Sequence, residues 1–451
     1  MQTTQRMAEY VVETKYEDLA PDVIQKAKDL CLSALGSAVL GAGMTVTQTL
    51  AQYARAEGGS QEAGVIGGGY KTTAEWAAAI NCTAAHCTEL EDVAFPEAIY
   101  TCFLFPAVFA YGEAFKSSGR ALLEAVVIGY EVTCRPGSVC TEGGGQQRGH
   151  LTCAQLGTIG AAAAAAKLMG LNVEQTRNAM SLAASMSAGL IRQTGTAAHV
   201  IEAGLAAKNG LMSARLARMG LNGHHAIMEG KGGYWDGLAG QPDADFILGK
   251  GSDFRIMAVG MKKFPCCYLS QRIIDGLQKL RREHGIEPDQ IEAIDLDVNP
   301  TYPRIFKYPE PRNSEEARFS LPHIVASALS GEKMLFETFT DEKIKDPALL
   351  ALGQRLNVRV HNDWPDGQLA GTNPVTVRMK NGQSHAIDCV RAHGDPDDPL
   401  TPAEVIQKFR DSTVGLMPEA DIQQAVSLLS SLESLKDVSP IQQLLTVRHA
   451  H

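Results

Sequence analysis

The 451-residue sequence has no run of eighteen or more strongly apolar side chains, which excludes a conventional membrane-spanning helix. The most suggestive run, LGTIGAAAAAA at 156–166, is short and built of small residues, as in a tightly packed internal helix. Excess positive charge is also missing. There are 41 Lys and Arg against 51 Asp and Glu, a net charge of −10, which speaks against broad binding to nucleic acid or anionic lipid. The first residues show no apolar stretch behind a basic start, so no signal peptide is expected and the reading is a cytoplasmic protein. GxGxxG, GxxxxGK[ST], HExxH, GxSxG and paired CxxC motifs are all absent, which argues against nucleotide and zinc enzymes. No fixed repeat marks a solenoid.

What is present describes an ordinary globular protein of two or three domains, 45% hydrophobic and 20% charged. Its ten cysteines sit in apolar stretches without the spacing of a disulfide framework, so reduced, buried thiols are expected. Between residues 5 and 240 apolar residues recur at helical spacing. Examples are PDVIQKAKDLCLSALGSAVLG at 21–41, and ALLEAVVIGYEVTCRP at 121–136, expected to stop at Pro136. β-Branched alternation begins after about residue 255, in 291–300, 355–363 and 373–390. The last of these contains Asn381-Gly382, the signal of a two-residue hairpin turn. Helical spacing fills 270–285 and 320–332 and returns at 401, where Thr401, Pro402 and Glu404 predict a capping box. The expected fold class is mainly α: a large all-helical domain (1–255 with 401–451) plus a smaller α+β lid domain (256–400).

Polar groups inside the small-residue helices are the candidates for chemistry, because burying them is costly unless they are paired or used. ELED at 89–92 follows an apolar helix, with one carboxylate expected in an interior cleft and another capping or facing water. His150 stands ahead of the Ala-rich helix. His199 and Glu202 share a helix face at i and i+3, and a carboxylate beside an imidazole raises its basicity and fixes its tautomer. Lys262, in front of Cys266-Cys267, and Arg318, at the mouth of an apolar helix, are cations suited to holding carboxylates. For each histidine taken singly, a satisfied core or capping role is the competing reading, as surface salt bridging is for the cations. The glycine-rich tract CTEGGGQQRGHLTC at 140–153 reads as a loop beside a site. Cys82, His86, Cys87 and Glu89 have metal-like spacing without a second half, so core thiols are favoured over a metal site.

The order of KAKDLCLSALGSAVLG, AAINCTAAHCTELED, GHLTCAQLGTIGAAAAAAKLMGL, HVIEAGLAAKNGLMSARLARMGLNG, KKFPCCYLSQRIIDGL and EEARFSLPHIVASALSGE resembles the MmgE/PrpD family over nearly the whole chain. That family includes 2-methylcitrate dehydratases, cis-aconitate decarboxylases and an iminodisuccinate epimerase. The resemblance implies a homodimer with no cofactor and no metal, acting on small polycarboxylates in a cleft between a helical domain and a lid. Carried over residue by residue, it implies Asp92 and His150 as catalytic groups, beside which the i, i+3 pair His199 and Glu202 is expected to act. Lys262, Arg318, Glu89, Cys267, Gln271 and Tyr302 (or Tyr308) would contact substrate.

The chain departs from the family pattern at several of these positions. ELEDV stands for D-x-D-D-T, so Glu89 replaces an aspartate; a later histidine is lost near Ile99 or Tyr100. His199 replaces a lysine, Glu202 replaces a histidine, and Cys267 or Gln271 lies where relatives often carry histidine. The expected reaction is therefore a dehydratase-like lyase step that begins with proton abstraction next to a carboxylate. An epimerase of a substituted dicarboxylate such as iminodisuccinate, a decarboxylase of the cis-aconitate type, and a catalytically silent carboxylate-binding homologue are the alternatives.

Overall fold

The computed structural model describes residues 2–241 and 245–447. The protein is mainly α, with 57% of the chain helical. It divides into two compact units. The larger contains residues 1–193, 197–260 and 401–451; the smaller contains 194–196 and 261–400. Among the described residues no single helix is long and apolar enough to cross a membrane.

The larger unit is built around the small-residue helices. Thr152–Leu168 carries six consecutive alanines, 161–166, all fully buried. Gly160 is needed there because a Cβ would collide with the Thr133 hydroxyl and the Gly129 carbonyl of helix Gly119–Glu142. Gly210 plays the same part on helix Ala197–Arg218, where a Cβ would strike Ala161. With no side chain in the way, backbones approach closely and dispersion contacts accumulate.

Helix Pro21–Gly41 has the predicted limits, with proline in its first turn. Helix Gly119–Glu142 does not stop at Pro136 but runs six residues beyond it. The proline removes one backbone donor, yet Pro136, Val139 and Cys140 are buried. Before it, Arg135 is held by Glu131 at 2.6 Å and by Asp253 at 2.8 Å. Packing on both sides of the proline outweighs one lost hydrogen bond. The C-terminal helices Pro402–Thr413, Glu419–Ser430 and Ser439–Thr446 belong to this unit. The first begins with the predicted capping box between Thr401 and Glu404.

In the smaller unit, strands Ile291–Val298, Leu356–Val360, Asn373–Met379 and Ser384–Cys389 form one mixed sheet. Ile291–Val298 pairs parallel with Leu356–Val360 and antiparallel with Asn373–Met379. Helices Tyr268–His284 and Leu321–Ser330 share its apolar core with the sheet. The hairpin at Asn381-Gly382 is not a two-residue turn. The Gly382 N–H donates to the Met379 carbonyl, and the Met379 N–H to that of Gln383. Only Gly382 takes a positive φ, +86°. A two-residue type I′ turn needs positive φ at both central residues, so Lys380–Gly382 instead forms a three-residue connection.

Candidate active site

Helix Ala74–His86 starts on a Thr73 cap and is buried on every side from Ala77 to its last residue. Its end delivers His86, fully buried, at the start of the acidic loop. Glu89 then takes a left-handed conformation, φ +52°, which costs a non-glycine residue about 1 kcal/mol. Val93-Ala94 pairs with Ile99-Tyr100 on one side and Val259-Gly260 on the other, fixing the far end of the loop. The loop is thus clamped at both ends. Glu89, Glu91 and Asp92 are at most 7% exposed, so no carboxylate of ELED points to water, contrary to the sequence expectation.

Helix Ala197–Arg218 packs beside Ala74–His86 and brings His199 to His86, with ring centroids 4.6 Å apart, edge to face. Each imidazole has a carboxylate behind it. Glu91 Oε1 lies 3.5 Å from His86 Nδ1, and Glu202 Oε2 lies 3.7 Å from His199 Nδ1. Glu202 is fixed in turn by accepting the Leu190 N–H at 3.1 Å. Tyr100 and Phe103 border His86 at 5.7 and 5.6 Å between centroids. Burial holds the nearby Cys102 and Cys153 thiols well above their ordinary range, reinforced at Cys102 by Glu91 and at Cys153 by Glu202. They are neutral thiols, not nucleophiles.

Asp92 faces a partner from the C-terminal helices. Lys408 Nζ is 2.7 Å from its Oδ1 and also donates to the Leu90 carbonyl at 3.1 Å. The pair is buried, so the Asp92 carboxylate is held by a lysine from a helix near the C-terminus. Lys408 was missed in the sequence, although it lies on the buried face of its helix with Val405, Phe409 and Ser412. A lysine on an apolar stripe was the available signal. The sequence groups His86 with Cys82, Cys87 and Glu89; the fold adds Glu91 and a histidine 113 positions on.

His150 does not join this group through any direct contact described. It lines a pocket of about 390 Å³ with Gln155, Ser187 and Tyr234, its Nδ1 3.2 Å from Gln155 Nε2. Its backbone pairs with Leu190, whose N–H goes to Glu202, so one residue links the two histidine regions.

The remaining candidates belong to the smaller unit. Lys262 and Arg318 are each 1% exposed, and Arg318 lies 4.9 Å from the Phe336 ring centre. Cys267 precedes helix Tyr268–His284 and donates its N–H to the Arg318 carbonyl. Two expected substrate contacts are internal instead. The Gln271 amide accepts from the N–H groups of Lys263 and Phe264 and donates to the carbonyls of Phe264 and Cys266, shaping that turn. Tyr302 is a core residue whose hydroxyl bonds Leu269, Asn373 and Arg272, and burial pushes its phenol up to about 12. Tyr308 is less buried, its hydroxyl donating to the Thr194 carbonyl at 3.1 Å.

Similar proteins agree in length as well as sequence. The chain is 24% identical to cis-aconitate decarboxylase of Mus musculus, over 98% of this chain and 93% of that protein. It is 25% identical to the Homo sapiens cis-aconitate decarboxylase, over 98% and 94%. Against that of Aspergillus terreus strain NIH 2624 it is 23% identical, over 95% and 93%. The MmgE/PrpD N-terminal domain matches residues 5–247 and the MmgE/PrpD C-terminal domain matches residues 264–432. With both halves of the pattern present in order, the chain belongs to the MmgE/PrpD family.

Proposed function

We propose that this protein is a lyase that moves a proton at the carbon next to a carboxylate of a small di- or tricarboxylate, without an organic cofactor. The observation that carries the reading is the pair of buried imidazoles, His86 and His199, each backed by a carboxylate. An imidazole held in a buried site can take a proton from carbon and return it to a product. His199 with Glu202 is assigned as the principal base and His86 with Glu91 as the second acid–base group. Lys408 keeps Asp92 in place. Lys262 and Arg318 are assigned as cations that hold substrate carboxylates.

The likeness to cis-aconitate decarboxylases makes cis-aconitate the first substrate to test, with citrate and 2-methylcitrate for dehydration. Purified protein would be followed by ultraviolet absorbance of the alkene and by carbon dioxide release; silence in both assays with all three compounds would sink the lyase reading. His199→Ala is expected to lower kcat by at least about 100-fold, the scale of a lost acid–base group, with unchanged circular dichroism. Two imidazoles in one buried cluster also favour a second reading, an epimerase in which one group removes the α-proton and another returns a proton to that carbon. Deuterium appearing at the α-carbon without alkene or carbon dioxide would identify it.

A further inference from the structure

We infer that a cavity of about 400 Å³ in the larger unit binds a small monocarboxylate with an apolar body, held by Arg55. None of its lining residues belongs to the group assigned to the lyase. One wall is a face of helix Thr45–Glu57, which brings Thr47, Ala51 and Arg55 to the cavity at i, i+4 and i+8. The turn at 65–70 adds Val65 and Ile66, and helix Ala74–His86 adds Ile80. A mostly apolar hollow with a few polar groups is the usual form of a small-molecule site.

The turn is braced from outside. The Ile66 N–H donates to Asn81 Oδ1 at 2.9 Å, and the N–H groups of Gly67 and Gly69 donate to the Leu445 and Thr446 carbonyls at 2.8 and 2.7 Å. Helix Ser439–Thr446 therefore fixes this wall, and the cavity is formed before a ligand arrives. Arg55 is fixed as well. Its guanidinium lies 3.7 Å from the centre of the Tyr70 ring and donates to the Gly68 carbonyl at 3.3 Å. The Tyr70 hydroxyl donates to the Ala51 carbonyl at 3.4 Å, which ties the ring to the same helix. Among the described residues no carboxylate forms an ion pair with Arg55. A guanidinium carries five N–H donors in a planar fork, and the bond to Gly68 leaves the rest for a ligand.

Charge sets the ligand class. A single guanidinium suits one carboxylate, which accepts two parallel N–H bonds from it, whereas a phosphate-rich ligand needs more positive charge than the cavity offers. The apolar walls also select against a di- or tricarboxylate, whose further carboxylates would lose water without gaining a partner. The preference is thus opposite to that of the proposed lyase site.

Calorimetric titration of the purified chain with butanoate, pentanoate and hexanoate reads this site without turnover, so its outcome is independent of the lyase reading. One hexanoate per chain is expected, with each methylene tightening binding about fourfold, the effect of burying one CH₂. Hexanamide, which lacks the charge, should bind about tenfold more weakly. Arg55 is exposed, so Arg55→Gln should fold like the parent, bind hexanoate about tenfold more weakly and bind hexanamide equally well. Ala51→Leu adds bulk to the cavity wall and should weaken hexanoate more than butanoate. Hexanoate bound in the lyase site instead would bind both variants as it binds the parent, which overturns the inference. Absence of saturable binding in the parent overturns it too, as does equal binding of hexanamide and hexanoate. Undiminished binding of hexanoate by Arg55→Gln is decisive on its own should Ala51→Leu not fold.

Discussion

Asp92 and Lys408 show what a single buried pair does for this site. The carboxylate is fully buried and the ammonium nearly so, at 2.7 Å, and the two are 316 positions apart in the chain. Desolvating both charges is expensive, and their attraction roughly repays it, so the pair adds little net stability. Removing one partner is different, because the other stays buried without its 2.7 Å counter-charge. Lys408→Met is therefore expected to destabilise the larger unit by about 3–5 kcal/mol, and Asp92→Asn/Lys408→Met by clearly less. Urea unfolding of the three proteins checks this; equal losses in the single and double variants would refute it. The contrast with His199 and Glu202 explains what was legible at this scale. Those two are three positions apart on one helix, and spacing alone predicts that they meet. His86 with His199, and Asp92 with Lys408, meet only through tertiary packing, for which a single sequence holds no spacing rule. Gln271 and Tyr302 fail for the related reason that a polar side chain near a site is equally suited to bonding its own backbone.

The distance between His86 and His199 is set by two helices, and one glycine holds those helices together. A Cβ at Gly204, on helix Ala197–Arg218, would fall inside contact distance of the Ala79 carbonyl oxygen and the Thr83 hydroxyl on helix Ala74–His86. Gly-to-Ala in an open helix gains about 1 kcal/mol of propensity. Here the obstacle is backbone, which cannot swing aside, and overpacking costs about 1–3 kcal/mol. Gly204→Ala is thus expected to lower the melting temperature and, by spreading the two helices, to reduce turnover. Gly237→Ala, where a Cβ meets open space in helix Tyr234–Ala239, should instead be neutral or stabilising. Calorimetric melting of both variants decides; a Gly204→Ala protein as stable as its parent would remove the argument. Elements with local signals were readable from sequence: the proline start of Pro21–Gly41, the Thr401 cap, the alternation of the strands. Pro136 and Asn381-Gly382 misled because their local preference competes with forces the local sequence does not show. Burial on both sides carried the helix through the proline, and the sheet's register took a three-residue connection in preference to two.

At the scale of the whole molecule, the chain divides into two units, and the smaller carries a buried histidine that couples its stability to acid. In the smaller, His323 sits on helix Leu321–Ser330 with its Nε2 2.9 Å from the Thr338 carbonyl, beside the Phe339 ring. Burial lowers its pKa below the ordinary 6.5; Lys343 acts in the same direction, and the bond to Thr338 only partly opposes them. The folded unit therefore prefers the neutral ring. The unfolded chain binds a proton on this histidine at a higher pH than the folded chain does, so stability rises with pH across the interval between the two values. The full contribution is present above about 6.5 and is lost progressively as the pH falls towards the lowered folded value. His323→Gln keeps an N–H donor in reach of the Thr338 carbonyl and does not titrate. Scanning calorimetry between pH 7.5 and 5 is expected to show the parent losing melting temperature faster than His323→Gln. The difference should be confined to one transition where the two units melt separately. The net charge of −10 changes little between the two proteins, so general charge repulsion cannot produce the divergence. Parallel curves for parent and variant would show that His323 is not the group through which acid loosens the smaller unit.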